Sequence, residues 1–293
     1  MNQWERYKPA QLDLHPGVSR YDMLLKHHVF NSSIMQHFHQ DVFKFTIITD
    51  PVHSFVSSVN FFGNHDKMSR AYLRKMPGPD KVANFLEDPE KYEVHGIRSA
   101  TDNRQSMDLG YDNRKHKFND SAYIGEFIKQ LDSFYDVVLI TEYFHESVVL
   151  LKRLLRWSTG DILYFHANKA KKGRPPPLTE EQLRQHRRIS VADMALYDHF
   201  LKVFQYKISR QPGLAEEVEE FKDILEKVSL FCEGFQNNST KELRQLIIPP
   251  GQWTDQVAIL SSKCDWLNLP GPPFVKYDDC FKSRQSSNFT ISC

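Results

Sequence analysis

Thr49, Asp50 and Pro51, followed by hydroxyls at Ser54, Ser57 and Ser58, are the residues of this chain whose types and order best fit anion chemistry. They sit inside the stretch Phe43–Phe62, FKFTIITDPVHSFVSSVNFF. Phe43, Phe45, Ile47 and Ile48 form an apolar, partly β-branched run that predicts a buried strand. Asp50 suits an N-cap, because its carboxylate accepts from the free N–H groups of a first turn, and Pro51 suits the first helical position, where no N–H is needed. Val52, Phe55, Val56 and Val59 recur at helical spacing, which predicts one apolar stripe against a sheet. Ser54, Ser57 and Ser58 fall on the opposite face. A strand-to-helix turn of this kind offers N–H groups and a positive dipole end to an anion.

The elements that must position this turn follow from periodicity. Tyr21–Phe38 reads as helical, with Met23, Leu24, His27 and His28 near its start. Asn64–Asp108 is polar and rich in Pro, Gly and charge, so a long surface excursion is expected, with a short helix over Pro79–Leu86. Ile124, Phe127, Ile128 and Leu131 mark a helix that Asp132–Asp136 ends. Val137–Ile140 reads as a fully buried strand, and Glu142 sits at its end, where open α/β sheets place ligands and where a capping role is equally open. Glu146–Trp157 reads as a helix with Val149, Leu150, Leu154 and Trp157 inward. Strand and helix alternate, which favours a mostly parallel sheet. Thr179 with Gln182, and Ser190 with Asp193, have the spacing of capping boxes. The second opens a helix with Met194, Tyr197, Leu201, Phe204 and Ile208 inward. Leu214, Val218, Phe221, Leu225, Val228 and Cys232 make a further stripe. From Gln236 onward the pattern weakens, and the last residues are expected to be disordered.

Bulk composition bounds the function. A chain of 293 residues can bury a sizeable core, and 40% hydrophobic with 26% charged residues is ordinary for a globular protein. A formal charge of +1 argues against a general nucleic-acid binder, so any anion site must be local. No apolar run approaches the roughly 20 residues of a membrane span, and no signal sequence is visible. Asn31, Asn119, Asn238 and Asn288 begin glycosylation sequons. The four cysteines, Cys232, Cys264, Cys280 and Cys293, allow three pairings, and free thiols remain equally open. No Cys/His spacing suggests zinc, and no Gly-x-Ser-x-Gly suggests a hydrolase.

Thr49-Asp50-Pro51 with Ser57 resembles the 3′-phosphate-binding segment of the Golgi carbohydrate sulfotransferases, written R-D-P-x-x-x-x-x-S. Longer blocks narrow the resemblance. Gly110-Tyr111-Asp112, Phe134–Tyr143, Glu146–Trp157, Asp161–Phe165, Ile189-Ser190 and Leu196–Phe200 resemble the galactose-3-O-sulfotransferase family, which includes galactosylceramide sulfotransferase. The resemblance spans roughly Tyr21 to Ile208. It implies an α/β fold: a P-loop-type, mostly parallel sheet flanked by helices, with a helical C-terminal part. Residues 1–210 are then a sulfotransferase-like α/β domain, and 211–293 a helical and irregular extension of the same domain.

The resemblance also implies the chemistry. The family moves a sulfuryl group from 3′-phosphoadenosine 5′-phosphosulfate (PAPS) to the 3-hydroxyl of a β-galactosyl residue on a glycolipid or glycan, without a metal and without nucleic acid. Family members are anchored in the Golgi membrane and face its lumen. Carried over residue by residue, Thr49, Asp50 and Ser57 would hold the 3′-phosphate. The family has Arg where this chain has Thr49, and losing a charge-assisted contact of that kind costs roughly 1.5–3 kcal/mol unless another cation substitutes. Lys172, with Lys171 and Arg174 in the basic loop Lys169–Pro177, is the candidate substitute; a solvated loop is its ordinary alternative. No Gly-Lys-Ser/Thr or His-Lys-Thr run occurs before Thr49, so the family's N-terminal strand, its 5′-phosphosulfate loop and its anchor are expected to be missing. Among 13 histidines, His28 is the candidate base near the acceptor. Arg104, Asp108 and Asp112 can hydrogen-bond sugar hydroxyls, with turn chemistry as the even alternative. The competing reading is a catalytically inactive pseudoenzyme or fragment that binds glycan or nucleotide without turnover.

Overall fold

The computed structural model describes residues 20, 29–64, 71–93, 99–112, 120–165, 177–236 and 243–267. His27, His28, Lys171, Lys172 and Arg174 lie outside these residues. The architecture is mixed α/β and mostly helical, and the chain divides into two compact units. One takes Met1–Phe144 with Pro176–Arg210, and the other His145–Pro175 with Gln211–Cys293.

The first unit is built around a two-stranded parallel pair, β1 (Phe45–Ile48) and β2 (Val137–Ile140), with Phe45 opposite Val137 and Ile48 opposite Ile140. Polar side chains bracket the pair. At its start the Asp136 carboxylate accepts from the Lys44 N–H at 2.6 Å. At its end the Thr141 hydroxyl donates to the Ile48 carbonyl at 3.1 Å. β2 is buried along its whole length, as its unbroken apolar run predicts. β1 is not: Phe45 and Ile47 are each 44% exposed and only Ile48 is buried. The buried strand expected at Phe43–Ile48 is therefore shorter, and only Ile48 in it is buried. A mostly parallel sheet is expected from the sequence; among the described residues the parallel part is this one pair.

Helix α1 (Pro51–Asn64) starts where the Asp50-Pro51 signal places it. Asp50 Oδ1 accepts from the N–H groups of Val52 and His53, at 2.8 and 3.0 Å. Its stripe meets helices rather than the sheet. Phe55, Val56 and Val59 pack with Leu73, Met76, Val82, Phe85, Leu86 and Ala100. Those partners come from α2 (Ala71–Arg74), α3 (Lys81–Glu87) and the segments beside them. The expected surface excursion between Asn64 and Asp108 thus supplies a hydrophobic core of its own, because Leu73, Phe85 and Leu86 can be buried only by folding back on α1. α4 (Pro89–Tyr92) and α5 (Arg104–Asp108) complete this segment. Before β1, the helix expected over Tyr21–Phe38 is, within the described residues, a short 3-10 helix, Ser32–His37, capped by Asn31.

α6 (Ser121–Phe134) buries Ile124, Phe127, Ile128 and Leu131, the four residues its spacing selects. Two helices return from later in the chain. α8 (Glu180–Ile189) opens with the Thr179–Gln182 capping box. α9 (Val191–Ser209) buries Ala192, Asp193, Leu196, Tyr197, Phe200 and Phe204. Its inward face is rotated from the expected one, leaving Met194, Leu201 and Ile208 only half-buried.

The second unit holds most of α7 (Phe144–Leu155), α10 (Leu214–Gln236), an antiparallel pair of β3 (Gln245–Ile248) and β4 (Val257–Leu260), and α11 (Ser262–Leu267). α10 buries Leu214, Val218, Phe221, Val228 and Cys232 of its expected stripe, while Leu225 is half-buried and Ile224 is buried beside it. Ile248, Val257 and Ile259 face Ile224 and Phe235 in the same core, and Cys232 is bonded to Cys264. α7 ends two residues early, and Arg156 adopts a positive φ of 55°. Leu154 and Trp157, expected inward, are 42% and 41% exposed, while Lys152 is buried.

Candidate functional site

The carboxyl ends of β1 and β2 lie side by side, as parallel pairing requires, and the two turns that follow them meet. The β1 turn brings Thr49 and Asp50. The β2 turn brings Glu142, which links both. Glu142 Oε1 accepts from the Thr49 hydroxyl at 2.7 Å and from the Asp50 N–H at 2.9 Å. The His53 ring lies 3.5 Å from the same oxygen. Glu142 Oε2 accepts from the Tyr197 hydroxyl at 3.1 Å. Burial pushes the Glu142 carboxyl up, but the Asp50 and Thr49 hydrogen bonds outweigh it and hold the group below its ordinary value. Burial, joined by the Glu142 charge, pushes the Tyr197 phenol well above its usual range.

A second clamp holds Thr49 from the other side. The Gln105 side chain accepts from the Thr49 N–H at 2.8 Å and donates to the Thr49 carbonyl at 2.9 Å. Gln105 lies in the first turn of α5, and its own N–H donates to Asp193 at 3.2 Å. Asp193 and Tyr197 are one helical turn apart on α9, so they share a face. The result is a closed ring of hydrogen bonds: α9 holds α5 through Asp193, α5 holds Thr49 through Gln105, Thr49 meets Glu142, and Glu142 returns to α9 through Tyr197.

The turn after Asp50 was expected to offer free N–H groups. In this structure its donors are engaged. The Asp50 N–H goes to Glu142, those of Val52 and His53 go to the Asp50 carboxylate, and that of Ser54 goes to the Asp50 carbonyl. Ser57 stands exposed on α1, about 9 Å along the axis from Pro51 at 1.5 Å per residue. Behind the turn, His186 is fully buried against Phe55, with ring centroids 4.9 Å apart. Burial lowers its pKa to about 4, so the ring is neutral at physiological pH.

Arg104 and Asp108 are brought together on α5, where the guanidinium pairs with the carboxylate four residues on and also donates to the Ser99 carbonyl at 3.1 Å. Arg104 is buried, and the Asp108 side chain is 44% exposed. Asp112 is buried. Beside it, Gly110 has a φ of 101° and a Cβ there would meet the Phe30 carbonyl at 3.0 Å, so this block turns tightly. Tyr111 packs on Tyr123 and Phe127 of α6. Among the described residues, no group of three or more His, Cys, Asp or Glu could hold a metal ion, and no helix is long and apolar enough to cross a membrane.

Sequence reading missed Gln105 altogether. It also took Asp193 for a local cap and Tyr197 for a plain core residue. The signal available was an Asp and a Tyr four apart on an otherwise apolar helix face, where each needs a partner.

Comparison with known proteins supplies the remaining observation. A model of the galactose-3-O-sulfotransferase family matches residues 9–263. Galactosylceramide sulfotransferase of Bos taurus is 33% identical over 195 residues, 64% of this chain and 44% of that protein. Galactose-3-O-sulfotransferase 3 of Mus musculus is 30% identical over 227 residues, 75% of this chain and 52% of that one. The chain thus spans about half the length of the curated relatives it matches. No solved structure matches it. Since the matched residues run from before the 3-10 helix Ser32–His37 to the start of α11 and include both turns of the hydrogen-bonded ring, the chain belongs to the galactose-3-O-sulfotransferase family.

Proposed function

We propose that this chain holds the nucleotide end of PAPS at the β1–α1 turn, within a protein that transfers sulfate to the 3-hydroxyl of a β-galactosyl residue on a glycolipid or glycan. The observation that carries the reading is the family match running through a strand, an Asp-Pro turn and a helix at the carboxyl end of a parallel pair. In this reading Thr49, Asp50 and Ser57 face the 3′-phosphate, and Lys172 replaces the charge that Arg would bring. The sulfuryl group leaves the phosphate oxygen as the acceptor oxygen attaches to sulfur. The acceptor proton passes to a base, His28, and adenosine 3′,5′-bisphosphate is released. Asp108, with Arg104 and Asp112 behind it, faces the galactosyl hydroxyls. The sheet then continues as a P-loop-type fold. The Golgi lumen is the compartment, and the Cys232–Cys264 bond fits an oxidising one.

A second reading, nucleotide or glycan binding without turnover, is favoured by one specific pair of observations: Thr49 stands where the family has Arg, and the Glu142 carboxylate already occupies its hydroxyl. Calorimetric titration with adenosine 3′,5′-bisphosphate tests both. Micromolar binding that disappears in Ser57→Ala supports the nucleotide site, and sulfate transfer to a galactoside would then favour the enzyme. Absence of binding up to millimolar nucleotide overturns it.

A further inference from the structure

We infer that Glu142 sets whether this turn accepts a phosphate: its carboxylate takes the Thr49 hydroxyl and the Asp50 N–H that a bound phosphate would use, and it must swing away or lose its charge before one binds. The inference rests on the nucleotide reading of the turn. It deepens that reading by naming the residue that controls occupancy.

The geometry carries it. A carboxylate oxygen and a phosphate oxygen ask for the same donors at the same distances. Glu142 Oε1 sits 2.7 Å from Thr49 Oγ1 and 2.9 Å from the Asp50 nitrogen. A second carboxylate, that of Asp50, faces the next two N–H groups of the turn. Among the described residues, the groups facing Glu142 are Thr49 and Asp50 from the β1 turn, His53 from α1 and Tyr197 from α9. Of these only His53 can bring a positive charge, and its side chain is 73% exposed. A phosphate arriving here meets like charge at contact distance, which disfavours it more strongly than lost hydrogen bonds alone. Tyr197 holds the far oxygen of Glu142, so α9 keeps the carboxylate in its seat.

The same arrangement gives the Thr49 departure a consequence. An Arg at this position would neutralise Glu142 and leave its own remaining donors for a phosphate. Thr49 has one hydroxyl hydrogen, and Glu142 holds it.

The test is calorimetric titration of the purified chain, Glu142→Gln and Tyr197→Phe with adenosine 3′,5′-bisphosphate at constant pH and salt. Melting curves check that each variant folds. Glu142→Gln keeps the shape and removes the charge, and tightening of about tenfold or more is expected. Tyr197→Phe frees the far oxygen, and a smaller tightening in the same direction is expected. It keeps the inference falsifiable if Glu142→Gln fails to fold. Binding by wild type and both variants with equal affinity overturns the control by Glu142 and leaves the nucleotide site standing. Weaker binding by a folded Glu142→Gln also overturns it and makes Glu142 an organiser of the site. No binding by any of the three overturns the nucleotide reading, and the inference with it.

Discussion

Asn103 and Asp193 cap each other's helices. Asn103 Oδ1 accepts from the N–H groups of Ala192 and Asp193 at the start of α9, at 2.8 and 3.0 Å. The Asp193 carboxylate accepts from Gln105 and Ser106 at the start of α5, at 3.2 and 2.7 Å. Each side chain satisfies the orphan donors of the other's helix. Asn103 reaches across from a left-handed backbone, φ 45°, a conformation Asn tolerates better than most residues. Through Gln105 this pair also fixes the candidate site.

Asp193 is fully buried, and burial pushes its pKa up to about 6 against the hydrogen bonds from Ser106 and Gln105. The folded state therefore holds this proton more tightly than the unfolded chain does. Asp193 favours folding at low pH, and that contribution is lost as pH rises from about 4 to about 6, by at most about 3 kcal/mol. We expect denaturant unfolding of Asp193→Asn to lack this part of the pH slope. An identical slope in wild type and variant would show that other groups set it.

Gln105 gives Thr49 both of its backbone hydrogen bonds in this turn. Gln105→Leu should lower stability by about 2 kcal/mol, at about 1 kcal/mol for each bond lost. Gln105→Glu keeps the acceptor alone and should recover about half. Urea unfolding measures both. If the turn is the nucleotide site, affinity for adenosine 3′,5′-bisphosphate should fall in Gln105→Leu by more than the residual unfolded fraction explains.

In the second unit, Glu217 joins two cations from α7. Its carboxylate lies 2.7 Å from Lys152 Nζ and 2.5 Å from Arg153 Nε, and its side chain is only 4% exposed. Lys152 also donates to Thr159 at 3.2 Å. Among the described residues, removing Glu217 leaves the buried ammonium only the more distant Asp255 carboxylate, at 3.7 Å, and strips Arg153 of its carboxylate partner. Glu217→Ala should cost about 3–5 kcal/mol, while the paired change Lys152→Met with Glu217→Leu should recover much of it. Thermal melts of wild type and the two variants decide this, and equal loss in the single and double variants would refute the charge argument.

The Cys232–Cys264 bond ties α10 to α11 across 32 residues. In the chain-entropy account, closing a loop of this size stabilises by about 3–4 kcal/mol. We expect Cys264→Ser, or mild reduction, to lower the melting temperature of the second unit. Unchanged melting after complete reduction would argue against the bond's contribution.

What the sequence determined here is local. The Asp50 cap, the Thr179–Gln182 box, the inward face of α6 and, apart from Leu225, that of α10 all stand as their spacing requires. Each depends on groups within a few residues, which the helix itself brings together. Tertiary structure decided the rest, including the candidate site. Ser190 and Asp193 have the spacing of a capping box, yet Ser190 turns to His186 at 3.1 Å and Asp193 turns to α5. Leu154 and Trp157 fit an inward face by spacing and are turned out: within α7 the buried face runs through Val149, Leu150, Leu151 and Lys152, and Trp157 lies beyond the helix end at Leu155. β3 and β4, missed where the pattern weakened, are held as a pair over the end of α10. Glu142 meets Thr49 across 93 residues and Asn103 meets Ala192 across 89. No periodicity encodes such pairs. They form because two parallel strands end side by side and because α9, returning from late in the chain, presents Asp193 to α5 and Tyr197 to the β2 turn from an otherwise apolar face.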